Sequence, residues 1–330
     1  MEYAFAGNGQ DIPRVFAHES LRAAGLTSEP VLTNRQDFYD APERCLNTRY
    51  LFATWGMPPL DEGEIRRFLP ELRAVFYAAG SVQYFARPFF DCGVRIFSAW
   101  QANAVPVAEY TTAQIILANK GFFRAARLYG NGDFSAAKAV KYSISGNYDG
   151  KVGIIGAGMI GKKVIGLLKN YALSPLVFDP FLPDETAEAL GAVKVPLETL
   201  FSECGVVSNH LANNPQTVNM LTYELFARMP QNGVFLNTGR GAQVSETGLA
   251  RALAERADLS AVLDVTIDEP LPAGHPFFRL PNLFLTPHIA GSLGRECRRM
   301  GEYMLHAYRC YRRGEPVPYE VTPDMLATMA

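Results

Sequence analysis

The stretch that decides the fold is Lys151–Pro180, "KVGIIGAGMIGKKVIGLLKNYALSPLVFDP". The apolar run Val152–Ile155 leads into Gly156-Ala157-Gly158-Met159-Ile160-Gly161. Ile160, Val164, Leu167 and Leu168 then recur at helical spacing, and Leu176–Phe178 makes a second apolar run. The order is strand, glycine turn, helix, strand. A bare G-x-G-x-x-G is common by chance, but between a strand and a helix it is specific. Gly156 permits the tight turn, Gly158 lets backbone approach a pyrophosphate, and Gly161 lets the helix pack on the sheet. The helix start then offers free N–H groups and a positive dipole end to phosphates. Asp179 closes the second strand 18 residues beyond Gly161, where a carboxylate would bond the adenosine ribose hydroxyls. A 2′-phosphate about 4 Å from that carboxylate would meet roughly 4 kcal/mol of repulsion at an effective dielectric near 20. NAD (as NADH when reduced) is therefore expected, with NADP disfavoured.

The alternation continues to the end of the cofactor unit. Val193–Val195 is read as a strand, 197–204 as a helix, "GVVSNHL" as a strand and "LTYELFARM" as a helix. "GVFLNTG" is the next strand, "TGLARALAERA" a helix, and "LSAVLDV" and "NLFLTPHI" the last strands. Near-continuous apolar strands alternating with helices imply a parallel sheet covered on both faces. The first hundred residues repeat the rhythm more loosely. "RYLFATWG", "LRAVFYAAG" and "GVRIFSAW" read as strands and "DEGEIRRFLPEL" as a helix. A long helix, "VPVAEYTTAQIILANKGFFRAARL", with Pro106 in its first turn, is expected to carry the chain between units. The proline-rich C-terminal stretch is expected to return to the first unit. The fold class is thus α/β with two Rossmann-like domains. Residues 104–296 form a doubly wound, parallel-sheet NAD-binding domain; 1–103 plus 297–330 form a smaller, discontinuous, flavodoxin-like substrate domain.

Bulk properties narrow the function classes. The chain has 330 residues, 48% of them hydrophobic, and a formal charge of −2 from well-mixed signs. That length suggests two cores, and the absence of a basic block argues against nucleic acid or an anionic membrane as partner. "MEYAFAGNGQDIPR" interrupts any signal-peptide pattern, and no apolar window is long enough to span a bilayer. The five scattered cysteines, with no CxxC pair, read as thiols of a cytoplasmic protein without a structural metal.

Three residues of the right chemistry follow three successive strands: Arg240 after "VFLNTG", Glu269 after "AVLDVTID" and His288 after "LFLTP". In an open parallel sheet, ligands bind beyond the carboxyl ends of the strands. Hydride transfer to a 2-oxo acid leaves charge on the carbonyl oxygen, which a histidine titrating near neutrality can protonate. Glu269 would fix the imidazole tautomer and favour imidazolium. Arg240, between Gly239 and Gly241, would clamp a carboxylate through its planar fork, the glycines leaving the approach open. Singly, each has a plainer reading: a surface arginine, a capping acid, a core histidine. Together, beside a dinucleotide motif, they form a set. His210 also ends a strand and borders the expected nicotinamide position.

These motifs resemble the D-isomer-specific 2-hydroxyacid dehydrogenases, the family of phosphoglycerate, glyoxylate/hydroxypyruvate and D-lactate enzymes. "GIIGAGMIGKKV", "VFDP", "LNTGRGAQV", "LDVTIDEPLP" and "LTPHIAGS" are similar to its signatures in order and spacing; "AAGSV" and "VPVAEYTTAQIILA" match less specific ones. The resemblance covers residues 50–320 and implies an NAD-dependent oxidoreductase acting on CH–OH groups. The resemblance implies interconversion of a small 2-oxo acid and its D-2-hydroxy acid, with Arg240, Glu269 and His288 as the catalytic set. It further implies cofactor contacts from Met159, Ile160, Asp179, His210, Leu211, Ala212, Thr217, Thr238, Gly239, Asp264, Ala290 and Gly291. Substrate contacts are implied from Trp55, Gly80, Ser81 and Val82, along with domain closure over the ligands and a homodimer paired through the NAD-binding domains. Two departures bear on the substrate. The first-domain loop reads Ala79-Gly80-Ser81-Val82-Gln83-Tyr84 where the family has Gly-x-Gly-Val-Asp-Asn. Trp55 also stands near where phosphoglycerate enzymes carry Arg, Ser or Thr, which argues against a phosphorylated substrate. A dinucleotide-sensing corepressor of the same architecture is the alternative.

Overall fold

The computed structural model describes residues 2–327. It divides into two compact units: residues up to Ala104 together with those from Ser292 onward, and Val105–Gly291. The strands in chain order are β1 (Tyr3–Ala6), β2 (Val31–Leu32), β3 (Tyr50–Ala53), β4 (Ala74–Tyr77), β5 (Arg95–Ser98), β6 (Tyr148–Ile155) and β7 (Ala172–Phe178). They continue with β8 (Val193–Lys194), β9 (Val206–Asn209), β10 (Val234–Asn237), β11 (Ser260–Leu263), β12 (Leu283–Leu285) and β13 (Glu320–Val321). The class is α/β with two largely parallel sheets.

In the unit Val105–Gly291 the sheet order is β12-β11-β10-β9-β6-β7-β8, all parallel. The chain winds outward from β6 to β8, then returns to lay β9 against the other side of β6. Strand order reverses there, and the last residues of the two strands, Ile155 and Asn209, are register partners. Such a reversal opens a crevice at the carboxyl ends. The apolar runs are explained by burial on both faces. Val234 and Leu236 join the cluster of Val152, Ile154 and Val164, whereas Phe235 joins that of Leu200, Phe201 and Phe226.

The other unit orders its strands β13-β5-β4-β3-β1-β2, with β13 antiparallel to β5 and the rest parallel. Without β13 this is the flavodoxin-like order. Phe5, Phe52, Phe76 and Phe97 are register partners across β1, β3, β4 and β5. Their rings stack in a row at 5.3, 5.4 and 5.1 Å. Met300, Met304 and Tyr308 of the helix Glu296–Arg313 pack over that row.

The helix expected over residues 105–128 differs. It starts earlier, at Trp100, and ends at Asn119, so Pro106 lies well inside it rather than in its first turn. Gly121 breaks it with a left-handed φ of 67°, and a Cβ there would stand 2.6 Å from Val140; a second helix, Phe122–Gly130, follows. The short strands β1 and β2 and the helix Asp184–Leu190 are elements the sequence reading did not supply. Among the described residues no helix is long and apolar enough to cross a membrane. All five cysteines are free thiols, four buried and Cys92 half-buried.

Candidate active site

The glycine turn follows β6. Gly156 takes φ 87°, and a Cβ there would sit 2.7 Å from the carbonyl oxygen of His210. At Gly161 a Cβ would strike the carbonyl of Gly156 itself. At Gly158 a Cβ would meet nothing within 4 Å. Two of the glycines are thus demanded by the protein's own packing, and the middle one faces open space, as a cradle for a ligand requires. The helix Met159–Leu168 starts with no side-chain cap, leaving its first N–H groups to solvent or ligand. Met159 is exposed and Ile160 half-buried against the core. Asp179 accepts hydrogen bonds from the Ala157 N–H at 2.8 Å and the Phe181 N–H at 2.9 Å, one on each carboxylate oxygen. It therefore braces the turn while each oxygen keeps a second lone pair. Beside it lies a cavity of about 580 Å³ walled by Phe178, Pro180, Val193, Val195 and Pro196.

Beyond β9, His210 is almost fully buried. Its Nε2 pairs with Ser208 Oγ at 2.9 Å, and its Nδ1 has no partner. Burial pushes the imidazole pKa down to about 3, so the ring is neutral at ordinary pH. Unfolded chains protonate this group below about pH 6.5, the folded state only near 3. The unfolded state binds more protons in that window, and stability falls as pH drops through it. His210→Gln should flatten that decline by about 2 kcal/mol between pH 7 and pH 5. Urea melts at the two pH values measure it, and parallel curves for both proteins would contradict it. Leu211 is buried and Ala212 half-buried; the Thr217 hydroxyl donates to the carbonyls of Ala212 and Asn214, tying its own loop together.

After β10 the chain enters the loop Thr238–Gly241. Thr238 Oγ1 lies 3.0 Å from Thr111 Oγ1. The glycines flanking Arg240 have a different cause from the open approach expected of them. A Cβ on Gly239 would sit 2.9 Å from Gln243 Oε1, and one on Gly241 would run into the backbone of Thr266. Arg240 is partly buried, and its Nη1 donates to the Gly239 carbonyl at 2.7 Å. Burial lowers its guanidinium pKa while the charge of Glu269 pushes it back up. Behind the loop, Asn209, Asn237 and Gln243 are entirely buried. Sequence reading passed over them, since isolated amides at strand ends look like turn formers.

Asp264, at the end of β11, is buried and holds the loop after β12. It accepts from Thr286 Oγ1 at 2.6 Å and from the N–H groups of Ile289 and Ala290, each at 2.8 Å. Its carbonyl takes the His288 N–H at 2.9 Å. Within this clamp His288 adopts a left-handed φ of 54°, uncommon for a residue with a Cβ but less so for histidine. Its Nδ1 lies 2.8 Å from Glu269 Oε2, whose other oxygen accepts the Thr266 N–H at 3.2 Å. The imidazole is about half exposed at 48%, leaving Nε2 open. Ala290 is buried and Gly291 half-buried.

In the other unit, Gly80 O and Ala79 O accept from Ser98 Oγ at 2.7 and 3.0 Å. The N–H groups of Gly80, Ser81 and Val82 find no acceptor among the described residues. Trp55 is packed against the cores on both faces of its sheet, so much of its bulk is structural.

The model of the "D-isomer specific 2-hydroxyacid dehydrogenase, NAD binding domain" matches residues 112–290, more than half of the chain. The chain belongs to the D-isomer specific 2-hydroxyacid dehydrogenase family. Members of this family are NAD-dependent oxidoreductases acting on CH–OH groups. Similar family proteins include a glyoxylate reductase of Korarchaeum cryptofilum, 28% identical over 270 residues, covering 81% of each chain. A D-3-phosphoglycerate dehydrogenase of Methanocaldococcus jannaschii is 27% identical over 68% of this chain but only 42% of its own length. Thus the chain spans less than half of that relative. Among solved structures, the fold is similar to that of Rhodotorula graminis D-mandelate dehydrogenase, with TM-score 0.80 and 20% identity over 97% of both chains. It is also similar to Lactobacillus jensenii D-lactate dehydrogenase with NAD+, with TM-score 0.77 and 18% identity over 98% of this chain and 100% of that one.

Proposed function

We propose that this dehydrogenase reduces a small, unphosphorylated 2-oxo acid to its D-2-hydroxy acid, and runs the reverse reaction, with NAD rather than NADP. The observation that carries the reading is the 2.8 Å pair of His288 Nδ1 and Glu269 Oε2 beside Arg240, beyond three neighbouring strands. The residues present fit a dinucleotide. Gly158 faces open space, the helix behind it is uncapped, and the His210 Nδ1 is an orphaned buried polar atom beside the turn. Gly156–Gly161 would hold the pyrophosphate, Asp179 the adenosine ribose, and the cavity beside Asp179 the adenine. His210–Ala212, Thr238, Asp264 and Ala290 would border the nicotinamide half. When bound, NADH supplies the hydride.

The chain's own residues do the rest. Arg240 holds the substrate carboxylate with donors left over from its bond to Gly239. Glu269 fixes the imidazole through Nδ1, and in the imidazolium form Nε2 carries the proton that goes to the carbonyl oxygen. In the reverse direction Nε2 takes that proton from the hydroxyl. A panel of 2-oxo acids with NADH, spanning glyoxylate, hydroxypyruvate and its 3-phosphate, pyruvate and branched analogues, tests the reading. NADH binding without turnover of any of them would return the protein to the sensor alternative.

Asp179 supports the cofactor preference, since a 2′-phosphate about 4 Å away would cost roughly 4 kcal/mol at an effective dielectric near 20. Asp179→Ala should cut the NADH-over-NADPH ratio of kcat/KM by about tenfold or more. An unchanged ratio would remove Asp179 from that role. A homodimer is supported by exposed aromatics on one stretch of the Val105–Gly291 unit: Phe122, Tyr129, Phe134, Tyr142 and Tyr148. Sedimentation should show a dimer that Tyr142→Ser with Tyr148→Ser weakens; a monomeric wild type would refute it.

A further inference from the structure

Asn209, Asn237 and Gln243 lie wholly out of solvent at the ends of β9 and β10. Leaving such an amide unpaired costs about 1–3 kcal/mol, and an apolar side chain would carry no such risk. Their hydrogen bonds run outward to the two loops that follow these paired strands, loops that are also tied further along by the Leu221–Val244 bridge and by the N–H groups of Asn219 and Leu221 donating to the carbonyls of Ala242 and Gln243. Gln243 Nε2 donates to the carbonyls of Leu211 at 2.7 Å and Ala212 at 2.9 Å. Gln243 Oε1 accepts from the Arg240 N–H at 3.2 Å and from Asn209 Nδ2 at 2.6 Å. Asn237 holds the same loop from the other side, its Oδ1 accepting from Gly239 N–H and its Nδ2 donating to Arg240 O, each at 3.0 Å. One planar amide thus has the Leu211–Ala212 carbonyls at one end and the Arg240 peptide at the other. A Cβ at Gly239 would sit 2.9 Å from this amide's oxygen, so the loop closes down on it.

We propose that Gln243 is a positioning residue that couples occupancy of the Leu211–Ala212 loop by the cofactor to the setting of Arg240. Cofactor binding then tightens the hold on the substrate carboxylate. This rests on the reading of Arg240 as carboxylate clamp and of Leu211–Ala212 as cofactor loop. A rigid amide bonded at both ends cannot follow one loop without shifting the other. Ordering Leu211 and Ala212 therefore narrows the positions open to the Arg240 peptide, and by linkage a carboxylate on Arg240 tightens NADH binding by the same factor.

The test is calorimetric titration of the full chain with oxamate, an unreactive carboxylate isostere of a 2-oxo acid, with and without saturating NADH. Wild type should bind oxamate about tenfold tighter or more with NADH, inside the usual range of coupling factors. Gln243→Met, similar in length and unable to bridge, should bring that factor to about one or two. Asn209→Leu disturbs the same buried cluster and loses its own bond from the Leu211 N–H at 3.2 Å, but keeps the bonds of Gln243 to Leu211, Ala212 and Arg240, and should retain a factor of at least about three. If Gln243→Met does not fold, Gln243→Glu keeps an acceptor for the Arg240 N–H, loses both donors, and should uncouple likewise. A wild-type factor in the Gln243 variant, or equal loss in both the Gln243 and Asn209 variants, overturns the proposal. Arg240→Gln separates the underlying reading. If that variant binds oxamate as wild type does, the clamp and the coupling both fall. Weak oxamate binding by Arg240→Gln together with full coupling in Gln243→Met sinks the coupling alone.

Discussion

Replacing His288 with asparagine should lower turnover of the best 2-oxo acid by about 10²–10⁴, while NADH affinity moves by less than about threefold. The imidazole is held through Nδ1 by Glu269 at 2.8 Å, and the open Nε2 is the group in a position to deliver a proton. Asparagine keeps the left-handed backbone that His288 needs, so the loop held by Asp264 stays in place and the loss reports on chemistry. Single-turnover kinetics measure the chemical step, and quenching of NADH fluorescence measures binding. Turnover within tenfold of wild type would remove His288 from the acid–base role.

Arg240→Gln should reduce kcat/KM for the acid by roughly 10²–10³-fold, corresponding to about 3–4 kcal/mol for a charge-assisted pair in a partly buried site. Burial lowers the pKa of this guanidinium and the charge of Glu269 restores part of the loss; arginine stays charged throughout. Arg240→Lys should recover only a fraction, because an ammonium cannot present two parallel donors to a carboxylate. NADH affinity serves as the internal control. A kcat/KM unaffected by both substitutions would assign Arg240 to structure.

The cofactor-binding sheet was legible because its strands are buried on both faces. That produces unbroken apolar runs such as Val234–Leu236, and the glycine turn marks where the first one ends. The pair Glu269 and His288 was legible as residue types at matched strand ends. Other features depend on contacts that no local pattern records. The buried amides pair residues 28 and 34 positions apart, and each alone resembles a turn former. Strand β2, of two residues, is too short for periodicity to register. Gly121 was read through because one glycine costs a helix only about 1 kcal/mol; Val140, which leaves no room for a Cβ there, lies 19 residues further along the chain. Gly239 and Gly241 were recognised as necessary, but the necessity lies in Gln243 and Thr266 rather than in a ligand.

The backbone of His288 also limits how this site can evolve. With φ at 54°, the position is open at little cost to glycine, asparagine, aspartate and histidine, and of these only histidine carries a proton suited to neutral pH. A lysine acid there would bear a backbone strain that histidine largely escapes, in the turn that Asp264 holds. New substrates are therefore reached by altering the surroundings while the proton donor stays put.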